Sequence, residues 1–116
     1  MVKSIGRMIE DSILRFLNIR PHKNSGAMGE KWDGSNEEYL FEVKSTGTQQ
    51  FIIKKNYWDK LSNSAKRRGK FPVMLIAWHD DNSLLPQDQV LVVMTLQDLA
   101  NNLTDESVEF KDIKIK

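Results

Sequence analysis

The chain has 116 residues, 40% of them hydrophobic, which reads as a single domain spanning residues 1-116 around one modest core. A net charge of +1 gives little global attraction to nucleic acid, so any such surface has to come from local clustering of the 17 Lys and Arg residues. Without cysteine, the chain has no thiolate zinc site, iron–sulfur cluster, disulfide or cysteine nucleophile, and it fits a reducing cytoplasm. No apolar run approaches membrane-spanning length, and no signal-peptide core stands at the N-terminus, so no membrane partner is expected.

The first element expected is a helix from about Ser4 to Leu17. Ile5, Met8, Ile9, Ile13, Phe16 and Leu17 recur at helical spacing, and Ser4 is placed to cap it. Glu10 lies at the edge of this apolar stripe, where a carboxylate can lean over the sheet that the helix covers. The ordinary alternative is a boundary acid pairing with Arg7 or Lys3; Asp11, one position along, turns further away. Residues 18–29 follow as a loop holding Pro21 and two glycines, with His22 facing solvent. Ser25, Gly26 and Ala27 offer small side chains and backbone N–H groups that a phosphate can approach closely. Two histidines far apart do not make a histidine metal site.

Glu30 to Asp33 reads as a first strand, Gly34-Ser35-Asn36 as a turn and Glu38 to Thr46 as a second strand. A third short strand, Gln50 to Ile53, would complete an antiparallel meander. Side chains alternate along a strand, so Tyr39, Phe41 and Val43 point one way and Leu40, Glu42 and Lys44 the other. Asp33 can come alongside the second row from the partner strand. Two convergent carboxylates can hold a hard divalent cation, and a lysine beside them can orient or help deprotonate a bound water. An acid alternating with a lysine is also how a solvated strand face reads, so the triplet draws its meaning from its surroundings.

Asn56 is the expected cap of a second helix running to about Arg68 and ending at Gly69, with Asp59 favouring its dipole and Trp58, Leu61 and Ala65 inside. Lys54, Lys55, Lys60, Lys66, Arg67, Arg68 and Lys70 surround it. This basic density suits contact with a nucleic-acid backbone; the plainer reading is a solvated face whose last cations complement the dipole. Phe71 to Trp78 is a near-continuous apolar run, expected as a central strand brought parallel to its neighbour by the helical crossover. His79 to Ser83 reads as a turn, Gln89 to Met94 as another strand, and Thr95 as the cap of a short helix containing Leu96, Leu99, Ala100 and Leu103. The tail from Val108 to Ile115 alternates apolar and charged residues, as an edge strand or a dimerisation arm would.

The order of these features is a helix with Glu10, a loop with Ser25-Gly26, Asp33, then Glu42-Val43-Lys44, a basic helix and an apolar strand. It resembles the PD-(D/E)XK nucleases over roughly residues 4–100. Tyr-Leu-Phe-Glu-Val-Lys-Ser-Thr, the Lys-Lys before the basic helix and Gly-Lys-Phe-Pro-Val are similar to the archaeal-type Holliday junction resolvases and their phage relatives. The resemblance implies an α/β fold: a restriction-endonuclease-like core, with a mixed central β-sheet flanked by helices. It implies Asp33 and Glu42 as metal ligands with the Val43 carbonyl, Glu10 at the metal, and Lys44 positioning the attacking water. It implies Mg²⁺, with Mn²⁺ able to substitute, and a homodimer making paired cuts in branched or four-way DNA. Ser25 resembles the loop serine near the scissile phosphate, while Lys54, Lys55, Lys66, Arg67 and Arg68 are the expected DNA contacts. The alternatives are a nicking or repair nuclease of the same fold and a nucleic-acid-binding module without catalysis.

Overall fold

The computed structural model describes residues 4–22, 32–79, 89–104 and 109. Helix α1, Ile5–Phe16, begins where Ser4 accepts a hydrogen bond from the Arg7 N–H at 3.2 Å, the expected cap. Strand β1 is Gly34–Ser35, β2 Tyr39–Thr46, β3 Phe71–Trp78 and β4 Val90–Val93; α2 spans Lys55–Arg67 and α3 Leu96–Leu103. They form an α/β layer structure around a four-stranded mixed sheet in the order β1-β2-β3-β4. β2 and β3 run parallel through eight residue pairs, from Tyr39–Phe71 to Thr46–Trp78, while both outer pairings are antiparallel.

This register explains why no third strand forms at residues 50–53, contrary to the expected meander. The edge of β2 that such a strand would need is occupied over its whole length by β3. The chain instead passes through residues 47–54 to α2, which carries it over the sheet to β3, the crossover that a parallel pairing needs. Of the apolar residues in that passage, Phe51 packs under α2, whereas Ile52 and Ile53 are exposed.

β1 also differs from expectation. Gly34 and Ser35 are paired with Phe41 and Leu40 rather than turning, and the turn lies at residues 36–38. There the Asn36 side chain accepts from the N–H groups of Glu38 at 2.9 Å and Tyr39 at 2.7 Å. Gly34 is a glycine because of close approach: a Cβ there would meet Ile19 at 3.1 Å and Leu14 at 3.3 Å. Of the expected first strand, Glu30 and Lys31 lie outside the described residues, and Trp32 and Asp33 immediately precede β1.

Apolar side chains fill both sides of the sheet. Ile9, Ile13 and Leu14 of α1 pack with Ile19, Phe41, Val43, Val73, Leu75 and Ala77. On the other side Leu61 and Ala65 of α2 pack with Trp32, Leu40, Met74 and Ile76. β3, central and covered twice, is the continuous apolar run. The α1 stripe turns further than its spacing suggested: Leu14 is fully buried, whereas Ile5, Met8, Phe16 and Leu17 are exposed. α2 buries Ser64 with Leu61 and Ala65, and Trp58 only in part. Its N-cap is Lys54, without a side-chain cap bond, rather than Asn56, and Asp59 pairs with Lys55 at 2.9 Å. It ends as expected, with Gly69 at φ +68. Thr95 caps α3 by accepting from Asp98 N–H at 3.1 Å, but no α3 residue is buried. Of the expected turn from His79 to Ser83 and tail from Val108 to Ile115, only His79 and Glu109 lie within the described residues. Among the described residues no helix is long and apolar enough to cross a membrane.

Candidate active site

β1 leaves most of β2 open at its edge, because it pairs over only two residues. Asp33 extends the pairing by one backbone bond, its N–H donating to the Phe41 carbonyl at 3.1 Å. The next inward-facing donor on β2, the Val43 N–H, is taken by the Asp33 carboxylate, Oδ2, at 2.7 Å. Asp33 thereby stands opposite Glu42, and the two carboxylates interact. A strand residue directs its N–H and C=O to the same edge, so the Val43 carbonyl faces this opening too. Glu10 reaches the Asp33 carboxylate from α1, in the opposite layer. Asp11 is turned to Arg7, at 3.6 Å.

Glu42 and Lys44 lie on the α2 face of β2, in the same row as Leu40, with Lys44 Nζ 3.4 Å from Glu42 Oε2. The Tyr57 hydroxyl, from the first turn of α2, donates a short hydrogen bond to the same oxygen. Lys44 Nζ sits 4.9 Å from the centre of the Tyr57 ring. That ring meets Trp32 edge-on, with centroids 5.7 Å apart and planes at 72°. One tyrosine thus holds the acid, flanks the amine and rests on the aromatic residue next to Asp33. The sequence reading began the inner stripe of α2 at Trp58 and missed Tyr57. The signal was present, since residues 57, 61, 64 and 65 are spaced as one helical face.

The charges at this edge are poorly compensated. Burial, above all, lifts the Asp33 carboxyl to about 6, Glu10 raising it while Glu42 and the Val43 N–H hold it down. Burial and the neighbouring Asp33 push Glu42 up to about 8, against the pull of Tyr57 and Lys44. The pair therefore gives up its protons in two steps, with Glu42 keeping the second. Burial works to lower Lys44, but Tyr57 and Glu42 outweigh it and hold the amine above its ordinary value. Burial and the Glu42 bond push Tyr57 to about 12, so it is a neutral donor. Lys44 is an ammonium at neutral pH, suited to orienting a water rather than taking its proton.

Among the described residues no group of three or more His, Cys, Asp or Glu side chains has metal-holding geometry. The donor chemistry nonetheless fits a hard divalent cation at the Asp33–Glu42 pair. A buried and a half-buried carboxylate that resist joint ionisation, beside an outward-facing carbonyl, have the electrostatic need such an ion meets.

His22 is not the solvent-facing residue expected. Its Nδ1–H donates to the Trp32 carbonyl at 2.7 Å, its Nε2 shares a hydrogen bond with Ser35 Oγ at 2.9 Å, and its backbone N–H donates to the Asp33 carbonyl at 2.8 Å. It fastens the segment that carries Asp33. Ser25 lies outside the described residues. Lys54, Lys55, Lys66, Arg67 and Arg68 are exposed along α2. Lys54 and Lys55 stand at the Tyr57 end, whereas the last three lie roughly 14–17 Å along the axis from Tyr57 and are not brought to the carboxylates. Lys70 serves the fold, its Nζ donating to the carbonyls of Asn36 and, at 3.4 Å, Glu37. Comparison with family models, with curated proteins and with solved structures returned no match.

Proposed function

We propose that this protein is a metal-dependent endonuclease of the PD-(D/E)XK type that hydrolyses DNA phosphodiester bonds and acts on branched or four-way DNA. The observation that carries the reading is the meeting of Asp33, Glu42 and Lys44 at the open edge of β2, with Glu10 arriving from α1. The order of helix, short antiparallel strand, long strand, crossover helix and parallel strand supports a restriction-endonuclease-like core. Asp33, Glu42 and the Val43 carbonyl would hold the ion, with Glu10 beside it. When bound, Mg²⁺, or Mn²⁺ in its place, supplies the positive charge that phosphodiester hydrolysis needs in its transition state. Lys44 orients the attacking water through its ammonium hydrogens, and Tyr57 keeps both Glu42 and Lys44 in register. Lys54, Lys55, Lys66, Arg67 and Arg68 supply sequence-independent backbone affinity. Hydrolysis leaves a 5′ phosphate, and a twofold homodimer would deliver two such cuts.

The test is incubation of the full chain with four-way, nicked and linear DNA, in EDTA and then in Mg²⁺ or Mn²⁺. Paired cuts on the junction are the expected result. Metal-dependent cutting without junction preference would move the substrate to nicked or damaged duplex. Binding without cuts at ample metal would overturn the enzyme reading.

A further inference from the structure

A groove of about 830 Å³ runs between the outer side of α1 and the segment after it, lined by Arg7, Asp11, Arg15, Arg20 and His22 among others. Its chemistry follows from spacing. Arg7, Asp11 and Arg15 are four residues apart on a helix and so lie on one stripe, and Arg20 faces them from the following segment. Among the described residues Asp11 is the one carboxylate in the lining, and Arg7 already engages it at 3.6 Å. Arg15 and Arg20 are exposed. In a chain of net charge +1, three guanidinium groups on one groove are a strong local excess.

The groove leads to the site described above. Arg7 is one turn from Glu10, which touches Asp33, and His22, in the groove wall, donates its backbone N–H to the Asp33 carbonyl at 2.8 Å. Arg7 and Arg15 are separated by roughly 12 Å of helix. A single small anion asks for guanidinium groups that converge on one point. Groups strung along a channel suit a linear polyanion, and the planar fork of arginine matches phosphate oxygens.

We propose that this groove holds the phosphodiester backbone of a DNA strand and delivers it to the Asp33–Glu42 edge from the α1 side, across the sheet from the basic face of α2. The delivery rests on the nuclease reading; the binding does not. The groove therefore adds a second backbone surface, with the carboxylates between the two.

The experiment is equilibrium binding of labelled duplex DNA to the full chain in EDTA, from about 0.05 to about 0.2 M salt. Arg15→Gln/Arg20→Gln is expected to lower the slope of log affinity against log salt by about 1.8, two contacts at about 0.9 each. Arg15→Lys/Arg20→Lys is expected to retain most of that slope, since it keeps the charge. Thermal unfolding checks that both exposed substitutions leave the fold intact. An unchanged slope and affinity in the Gln variant overturns the proposal, as does absence of DNA binding by the unaltered chain. Inorganic phosphate binding to the groove, with DNA affinity indifferent to the Gln variant, also overturns it, leaving a small-anion site. Binding is read without metal, so failure of the groove leaves cleavage standing, and failure of cleavage leaves the groove standing.

Discussion

Toward α1, β2 presents Phe41 and Val43 to a cluster that is apolar throughout. Toward α2 the same strand presents Leu40, then Glu42 and Lys44, into a layer that otherwise holds Trp32, Leu61, Met74 and Ile76. Around Phe41 and Val43 the packing excludes water. The other face accepts a carboxylate whose side chain is only 6% exposed, and the displaced pKa of Glu42 records the desolvation that this imposes. Strand alternation makes the division possible, because neighbouring residues belong to different layers and a charged row need not disturb the apolar one. The charged row is a stability deficit, which the proposed cleavage chemistry would account for.

The largest effect expected is on cleavage. Asp33→Ala or Lys44→Ala should lower the rate by roughly a thousandfold or more while DNA binding in EDTA stays within a few-fold of the unaltered chain. Glu42→Gln should do the same to cleavage yet raise the unfolding free energy of the metal-free protein at pH 8, by about 1 kcal/mol, because it removes a carboxylate that the fold holds neutral at a cost. Normal cleavage by the alanine variants would remove the site; a destabilised Gln variant would remove the contrast between the faces. The apolar face should answer differently. Ile13→Ala should destabilise by about 2–4 kcal/mol, equally at pH 5 and pH 8, with cleavage per folded molecule unchanged. Leu61→Ala should destabilise comparably but also slow cleavage, since Leu61 lies one turn from Tyr57.

The residues that the sequence made legible are those whose pattern is local and long. Alternation over β2 identified the Glu42–Lys44 row, and the unbroken apolar run of β3 identified a central strand. Ser4 and Thr95 cap their helices through hydrogen bonds to residues three along, so their roles are written within a few positions. What escaped depends on partners distant in sequence. Residues 50–53 have a strand-like pattern, but the edge they needed belongs to β3. His22 bonds to Trp32 and Ser35, 10 and 13 residues away, and Tyr57 to Glu42, 15 residues away. The clustering of Glu10 with Asp33 across two layers was expected from the position of Glu10 at a stripe edge.

Titration sharpens the contrast between the faces. Asp33 and Glu42 both have folded-state values raised above their ordinary values of 3.8 and 4.5, to about 6 and about 8. A raised carboxylate favours folding in its protonated form. Its contribution is complete below the unfolded value and is lost as pH climbs through the folded one. In EDTA the urea midpoint should therefore fall between about pH 4 and about pH 8. Saturating Mg²⁺ should flatten that fall, since an ion binding the folded carboxylates stabilises most where they are ionised. A flat midpoint would show the carboxylates to be ordinary surface acids, and a rising one would show them held below their usual range; either removes the contrast.

The smallest effect, and the one most specific to the α2 face, belongs to Tyr57→Phe. The hydroxyl is lost and the ring kept, so the contacts with Trp32 and Lys44 remain while Glu42 Oε2 loses its phenolic donor. That hydrogen bond lowers the Glu42 pKa, so its removal lets burial and Asp33 push the carboxyl higher still. Cleavage at neutral pH should fall by about tenfold, and the rising limb of the pH–rate profile should move to higher pH, with partial recovery of rate at pH 9. A tyrosine that merely filled space would lose rate evenly at every pH, or lose none. Displacement of the limb is the signature of a hydroxyl that acts by lowering the pH at which Glu42 ionises.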